Sequence, residues 1–105
     1  MSEYDFSALY DQYSALIEQM KDTFDSHQFI LELAHRNQVP YVEALYAYRD
    51  SLHRGEPTPF RIVHQILAQH LTTCTDLIER AGDVYSEDIF GQVSECAQWR
   101  KKDRV

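Results

Sequence analysis

The stretch from Pro59 to Cys74, PFRIVHQILAQHLTTC, decides how the fold is read. At about 100° per residue, Phe60, Ile62, Val63, Ile66, Leu67 and Leu71 cover roughly half of a helical cylinder. A surface helix carries a narrower apolar stripe, so this one calls for neighbours on more than one side. Thr58 can cap the first free N–H groups. Pro59 suits the first helical position, where its missing N–H would have no helical partner anyway. These residues predict a central helix over 59–74 with the other segments packed around it.

Upstream, Phe6, Leu9, Tyr10, Tyr13, Leu16, Ile17, Met20 and Phe24 recur at three- and four-residue steps. This spacing predicts one helix over 3–24 with a single apolar stripe. Ser2 with Asp5 resembles a capping arrangement, and Glu3 and Asp5 suit the positive helix end. The repeat also approximates heptads, as a dimer seam would, but it is barely three heptads long, which favours packing within the chain. Asp25 or Ser26 can cap a second helix over 27–36. Val39-Pro40 then breaks the chain, since the residue before proline avoids helical angles. A third helix follows over 40–52, and Gly55 fits a C-terminal cap beyond it.

Downstream of the central helix the pattern weakens. Thr72, Thr73 and Thr75 are poor helix formers and predict a break. A short helix is expected over 76–81, stopped by Gly82. Ser86 then caps a last helix, with Ile89, Phe90, Val93, Cys96 and Ala97 on its apolar side and Arg100, Lys101 and Lys102 at its negative end. The expected fold is therefore all-α, one domain over 1–105, a bundle of five principal helices and one short one.

Composition agrees with a helical reading. Three Gly and three Pro in 105 residues are few for a turn-rich all-β chain. The net charge is −7, and the first 35 residues hold seven acidic side chains against Lys21 alone. Long-range attraction to nucleic acid or an anionic membrane is disfavoured; the acidity reads first as solubility, with a basic protein partner as the sharper reading. Two cysteines, Cys74 and Cys96, do not make a disulfide framework, although one bridge between them stays open at this level. No signal-peptide pattern and no membrane-length apolar run is present, so a reducing cytoplasm is the expected location.

Chemistry has few footholds. His70 falls inside the apolar arc of the central helix and Cys74 lies at i+4, so both could touch one metal ion. Two ligands do not make a site, a third would have to come from elsewhere, such as Cys96 or His35, and neither CxxC nor HExxH spacing occurs. A His bonded to a carbonyl and a buried Cys acting as a small hydrophobe explain the pair more simply. His64 lies at the edge of the arc, and His27, His35 and His53 sit near helix ends, as surface or capping residues do. A Cys–His nucleophile is disfavoured because apolar surroundings raise a thiol pKa. No Gly-rich phosphate loop or GxSxG elbow appears. No catalysis, cofactor or metal is expected.

Leu33–Arg49, LAHRNQVPYVEALYAYR, roughly fits a helix–turn–helix. It departs at Gln38, where the turn usually has Gly, and at Asn37, where an apolar residue is common. Its second helix offers Arg49 as a base, beside Glu43 and Asp50. A DNA-binding alternative would use Arg36, Arg49 and the C-terminal Arg100, Lys101, Lys102 and Arg104. The tyrosines are the other signal, since Tyr offers a large contact area with a polar tip. Tyr4, Leu31, Tyr46 and Trp99 fall off their helices' inner lines and are the expected exposed contacts. The function that follows is a small non-catalytic interaction or regulatory protein of the cytoplasm. It would meet a protein partner of basic character, or a second copy of itself through the first helix or the tyrosine-bearing surface.

Overall fold

The computed structural model describes residues 4–102 and contains both helices and an antiparallel sheet. Helix α1 spans Ser7–Tyr10 and α2 Tyr13–Gln19; strand β1 spans Thr23–Asp25; α3 spans Ser26–Arg36 and α4 Gln38–Ala47. A 3₁₀ turn at Ser51–Arg54 leads to α5, Pro59–Leu71, and strands β2, Ile78–Glu87, and β3, Val93–Lys101, follow. The all-α expectation is overturned by the last third of the chain. Residues expected to form a short helix and a terminal helix instead make a hairpin. Its turn is built by Asp88, whose carboxylate accepts from the N–H groups of Phe90 at 2.9 Å and Gln92 at 3.0 Å. Gly91, at φ +79°, supplies the left-handed residue of that turn. The helical spacing of Ile89, Phe90, Val93 and Cys96 was coincidental. Val84, Tyr85, Val93 and Trp99 favour a pleated surface, and β3 finds partners on both sides.

The sheet order is β1-β3-β2, antiparallel throughout. Phe24 lies opposite Trp99 and Asp25 opposite Gln98, so β1 clips onto the far end of the hairpin. A register shift between Arg80 and Gly82 marks a bulge at Ala81, and Gly82 takes φ +118°, which side-chain-bearing residues rarely adopt. The one helix expected over 3–24 is two, α1 and α2, parted at Asp11 and Gln12, and the sheet explains why the second ends early. The apolar stripe is real: Phe6, Leu9, Tyr13, Leu16, Ile17 and Phe24 are all buried. The helical path nevertheless stops at Met20, which turns extended at ψ 161°, so that Phe24 can enter β1. Phe6 stands at the N-cap of α1 with no side-chain cap, and Asp5, one residue earlier, accepts from Ser7 N–H at 2.9 Å. Ser2 and Glu3, expected to help there, lie outside the described residues.

Helix α3, not α5, occupies the middle. It packs against α2, α4, α5, β1 and β3, and its Phe29 and Leu33 have no exposed surface. It begins with a complete capping box: Asp25 accepts from Gln28 N–H at 2.8 Å while the Gln28 side chain accepts from Asp25 N–H at 3.0 Å. Helix α5 starts as its residues dictate, with Thr58 accepting from Arg61 N–H at 3.3 Å and Pro59 in the first turn. It ends at Leu71, short of the expected Cys74, where the Thr72 and Thr73 hydroxyls donate back to the Gln69 and His70 carbonyls. Val63, Leu67 and Leu71 are fully buried, but Ile62 and Ile66 are half-buried and Phe60 is exposed. The wide arc is thus covered on one side only, which corrects the expectation of a sheathed central helix. Helix α4 starts two residues before Pro40, whose missing N–H falls in the first turn where no helical partner exists. No helix among the described residues is long and apolar enough to cross a membrane.

Candidate functional site

Between α5 and the β2–β3 hairpin lies a cleft of about 940 Å³. Phe60, His64 and Ala68 of α5 line one wall, Phe90 and Cys96 of the hairpin the other, and the start of α3 the floor. The cleft exists because the hairpin is tied down at both ends. At its turn, the Phe90 ring meets the Phe60 ring edge-on with centroids 4.7 Å apart and lies near-parallel to His64 at 6.2 Å. At its base, the indole N–H of Trp99 donates to Ser26 Oγ at 3.0 Å, and Ser26 Oγ donates to the Ala97 carbonyl at 3.4 Å.

Three side chains of different chemistry converge beside that base. Ligating atoms of Asp25, His27 and Cys96 lie within 4.8 Å of one another. Asp25 is buried, and His27 and Cys96 are half-buried. His27 Nδ1 sits 2.9 Å from Ser86 Oγ and 3.2 Å from the Ser86 carbonyl, and its Nε2 lies 3.4 Å from Ser94 Oγ. Cys96 Sγ is 3.5 Å from Ser86 Oγ. The local sequence Asp25-Ser26-His27 explains the convergence. Where strand passes into helix, Asp25 pairs with Gln98, Ser26 bonds to the Ala97 carbonyl and His27 reaches Ser94, so all three residues meet β3. His27 was expected to be a capping or surface residue, and the partnership with Cys96 is invisible without the sheet that brings residue 96 to the start of α3. The Asp-x-His spacing at a cap was the available signal.

His64 is half-buried in the same cleft, with Nε2 2.6 Å from the Tyr41 hydroxyl. Burial holds its pKa below the usual imidazole value; Asp88 opposes that shift and His27 adds to it. Burial also pushes the Tyr41 phenol up to about 12.

The residues singled out from sequence are dispersed. His70 stacks on Tyr10 with centroids 3.7 Å apart and meets Tyr13 edge-on at 4.8 Å. Burial lowers its pKa and raises that of the Cys74 thiol, which lies 3.7 Å from the His70 carbonyl. Among the described residues the pair joins no cluster of metal-ligating groups, and Cys74 and Cys96 are both free thiols. Trp99, expected at the surface, is only 5% exposed, because its neighbours form a strand against Phe24 and not a helix. Tyr4 is half-buried, its hydroxyl 3.4 Å from the Pro40 carbonyl. Leu31 and Tyr46 are exposed.

The cations of the DNA-binding alternative do not gather. Arg36 pairs with Glu32 at 3.1 Å and bonds to Gln19. Arg49 lies over the Tyr46 ring, 4.0 Å from its centroid. Arg100 pairs with Glu79 at 3.3 Å, Lys101 donates to the Glu18 carbonyl at 2.8 Å, and Lys102 donates to the Thr75 carbonyl. Arg104 lies outside the described residues. The turn between α3 and α4 is Asn37 alone, shorter than the three or four residues a helix–turn–helix uses.

Helix α4 presents the second surface of interest. Tyr41 and Ala44 are buried on its inner side. On the opposite side Val39, Val42 and Tyr46 are 71%, 59% and 64% exposed. At 100° per residue these three fall within an arc of roughly 60°. No protein-family model, curated protein or solved structure matches this chain.

Proposed function

We propose that this is a small, non-catalytic cytoplasmic protein that regulates through protein–protein contact, and that its contact surface is the outer face of α4. One observation carries the reading: α4 is apolar on both sides and the fold covers only one. A helix that is apolar all round belongs in an interior, so its free side calls for a partner to bury it. Val39, Val42 and Tyr46 follow one another at the three- and four-residue steps by which an amphipathic helix seats in a groove. Arg49 stacked on Tyr46 extends the stripe and holds the ring in place.

Glu43, one turn beyond Val39, and Asp50 border this stripe, and the chain carries a net charge of −7. The fitting partner is a protein with an apolar groove rimmed by Lys or Arg. A second copy of this chain would bring like charge to like, which favours a different protein over a homodimer.

The test compares the wild type with Val42→Asp and Tyr46→Ser. Light scattering across concentration reads self-association, and cross-linking from the tip of α4 in the native cell reads partners. The expected result is a defined cross-linked complex that both substitutions abolish while the circular dichroism spectrum stays unchanged. Identical cross-linking patterns for wild type and variants would overturn the assignment.

A further inference from the structure

We infer that Asp25, His27 and Cys96 form a binding site for a divalent transition-metal ion, with Zn²⁺ the best match to the donor set. The inference is independent of the contact surface on α4.

Three ligating atoms, one each of oxygen, nitrogen and sulfur, lie within 4.8 Å of one another. Bonds of roughly 2.0–2.3 Å in a tetrahedral arrangement place neighbouring donors somewhat under 4 Å apart. Small rotations of the side chains therefore close the distance, and the backbone can stay where it is.

The backbone is also held. Asp25 is fixed opposite Gln98 in the sheet. Ser26, between the two ligands, accepts the Trp99 indole N–H and donates to the Ala97 carbonyl, next to Cys96. The three positions are thus tied to a common frame before any ion arrives, which reduces the ordering cost of binding.

Each ligand has a supporting contact of the kind that metal sites use. One Asp25 oxygen accepts from the Gln28 N–H at 2.8 Å, which orients the carboxylate and leaves its other oxygen as a donor. The His27 ring is placed by Ser86 and Ser94. Ser86 Oγ reaches both His27 and Cys96, and so can donate to the thiolate once it is metal-bound.

The donor set then selects the ion. A thiolate and an imidazole are poor ligands for Mg²⁺ and Ca²⁺, which take oxygen, whereas Zn²⁺ accepts sulfur, nitrogen and carboxylate oxygen together. Three protein ligands leave a fourth position for water, and His27 and Cys96 both line the cleft. Binding is a proton exchange: the Cys96 thiol releases its proton to solvent as the Zn–S bond forms, and His27 coordinates as the neutral imidazole. Affinity therefore falls as pH is lowered.

The experiment uses the full chain, reduced and free of metal, titrated with Zn²⁺ by calorimetry and with Co²⁺ by absorbance. One equivalent binds with a micromolar or tighter Kd, Co²⁺ gives a thiolate charge-transfer band, and bound Zn²⁺ protects Cys96 from alkylation while the reactivity of Cys74 is unchanged by the metal. Cys96→Ala and His27→Ala each weaken binding at least about tenfold. Asp25→Asn keeps the helix cap and weakens binding as well, which separates a ligand role from a folding role. His70→Ala and Cys74→Ala leave binding unchanged. No binding to the folded wild type, or binding that survives both Cys96→Ala and His27→Ala, would overturn the assignment.

Discussion

Trp99 and Ser26, separated by most of the chain, are joined by a buried hydrogen bond of 3.0 Å from the indole N–H to the serine hydroxyl. Ser26 opens α3 and Trp99 lies in β3, so this contact is one of the ties between the central helix and the sheet. Ser26→Ala leaves a buried indole N–H without its acceptor. The expected loss is about 1–3 kcal/mol, read as a lower urea midpoint with the slope unchanged. Tryptophan fluorescence follows the same transition because Trp99 is the only tryptophan.

Asp25 is expected to separate two roles. Asp25→Ala removes the acceptor of the capping box and costs about 0.5–2 kcal/mol. Asp25→Asn preserves a capping oxygen and should cost much less. Equal losses in the two variants, measured by thermal unfolding without metal, would show that the carboxylate charge and not the cap matters.

The two sides of α5 should respond differently. Leu67→Ala empties fully buried volume and is expected to cost about 2–5 kcal/mol. Ile62→Ala, on the half-buried side, should cost clearly less. Equal costs in denaturant titrations would mean that the outer arc of α5 is covered after all.

His64 ties stability to acidity. Its pKa in the folded state is depressed, chiefly by burial, so between that value and the unfolded value of about 6.5 the unfolded chain binds more protons. Stability is then complete above pH 7 and is lost as pH falls through the folded pKa. His70, lowered by burial as well, acts in the same direction. Urea midpoints at pH 7.5 and pH 5.5 should differ in that sense, and His64→Gln should reduce the difference. A midpoint that rises on acidification would contradict the burial of neutral His64.

The parts of this protein governed by contacts a few residues apart were legible in its sequence. The capping oxygens of Asp25 and Thr58, Pro59 at the first turn, Gly55 in the left-handed conformation at the end of the 3₁₀ turn, and the apolar spacing through Phe29, Leu33, Val63 and Leu67 all act within one or two helical turns. The same holds for the stripe from Phe6 to Ile17, whose buried face was correct although its continuity was not. Tertiary structure decided the rest. Ile89, Phe90, Val93, Cys96 and Ala97 satisfy a helical spacing although they belong to a hairpin, and a strand gains its hydrogen bonds only from a separate partner strand. Phe24 opposite Trp99 is such a pairing, and with its neighbours Thr23–Arg100 and Asp25–Gln98 it makes residues 23–25 a strand and places an expected surface tryptophan in the core. The meeting of His27 with Cys96 has the same origin, because it depends on where the sheet places β3 and not on any spacing along the chain.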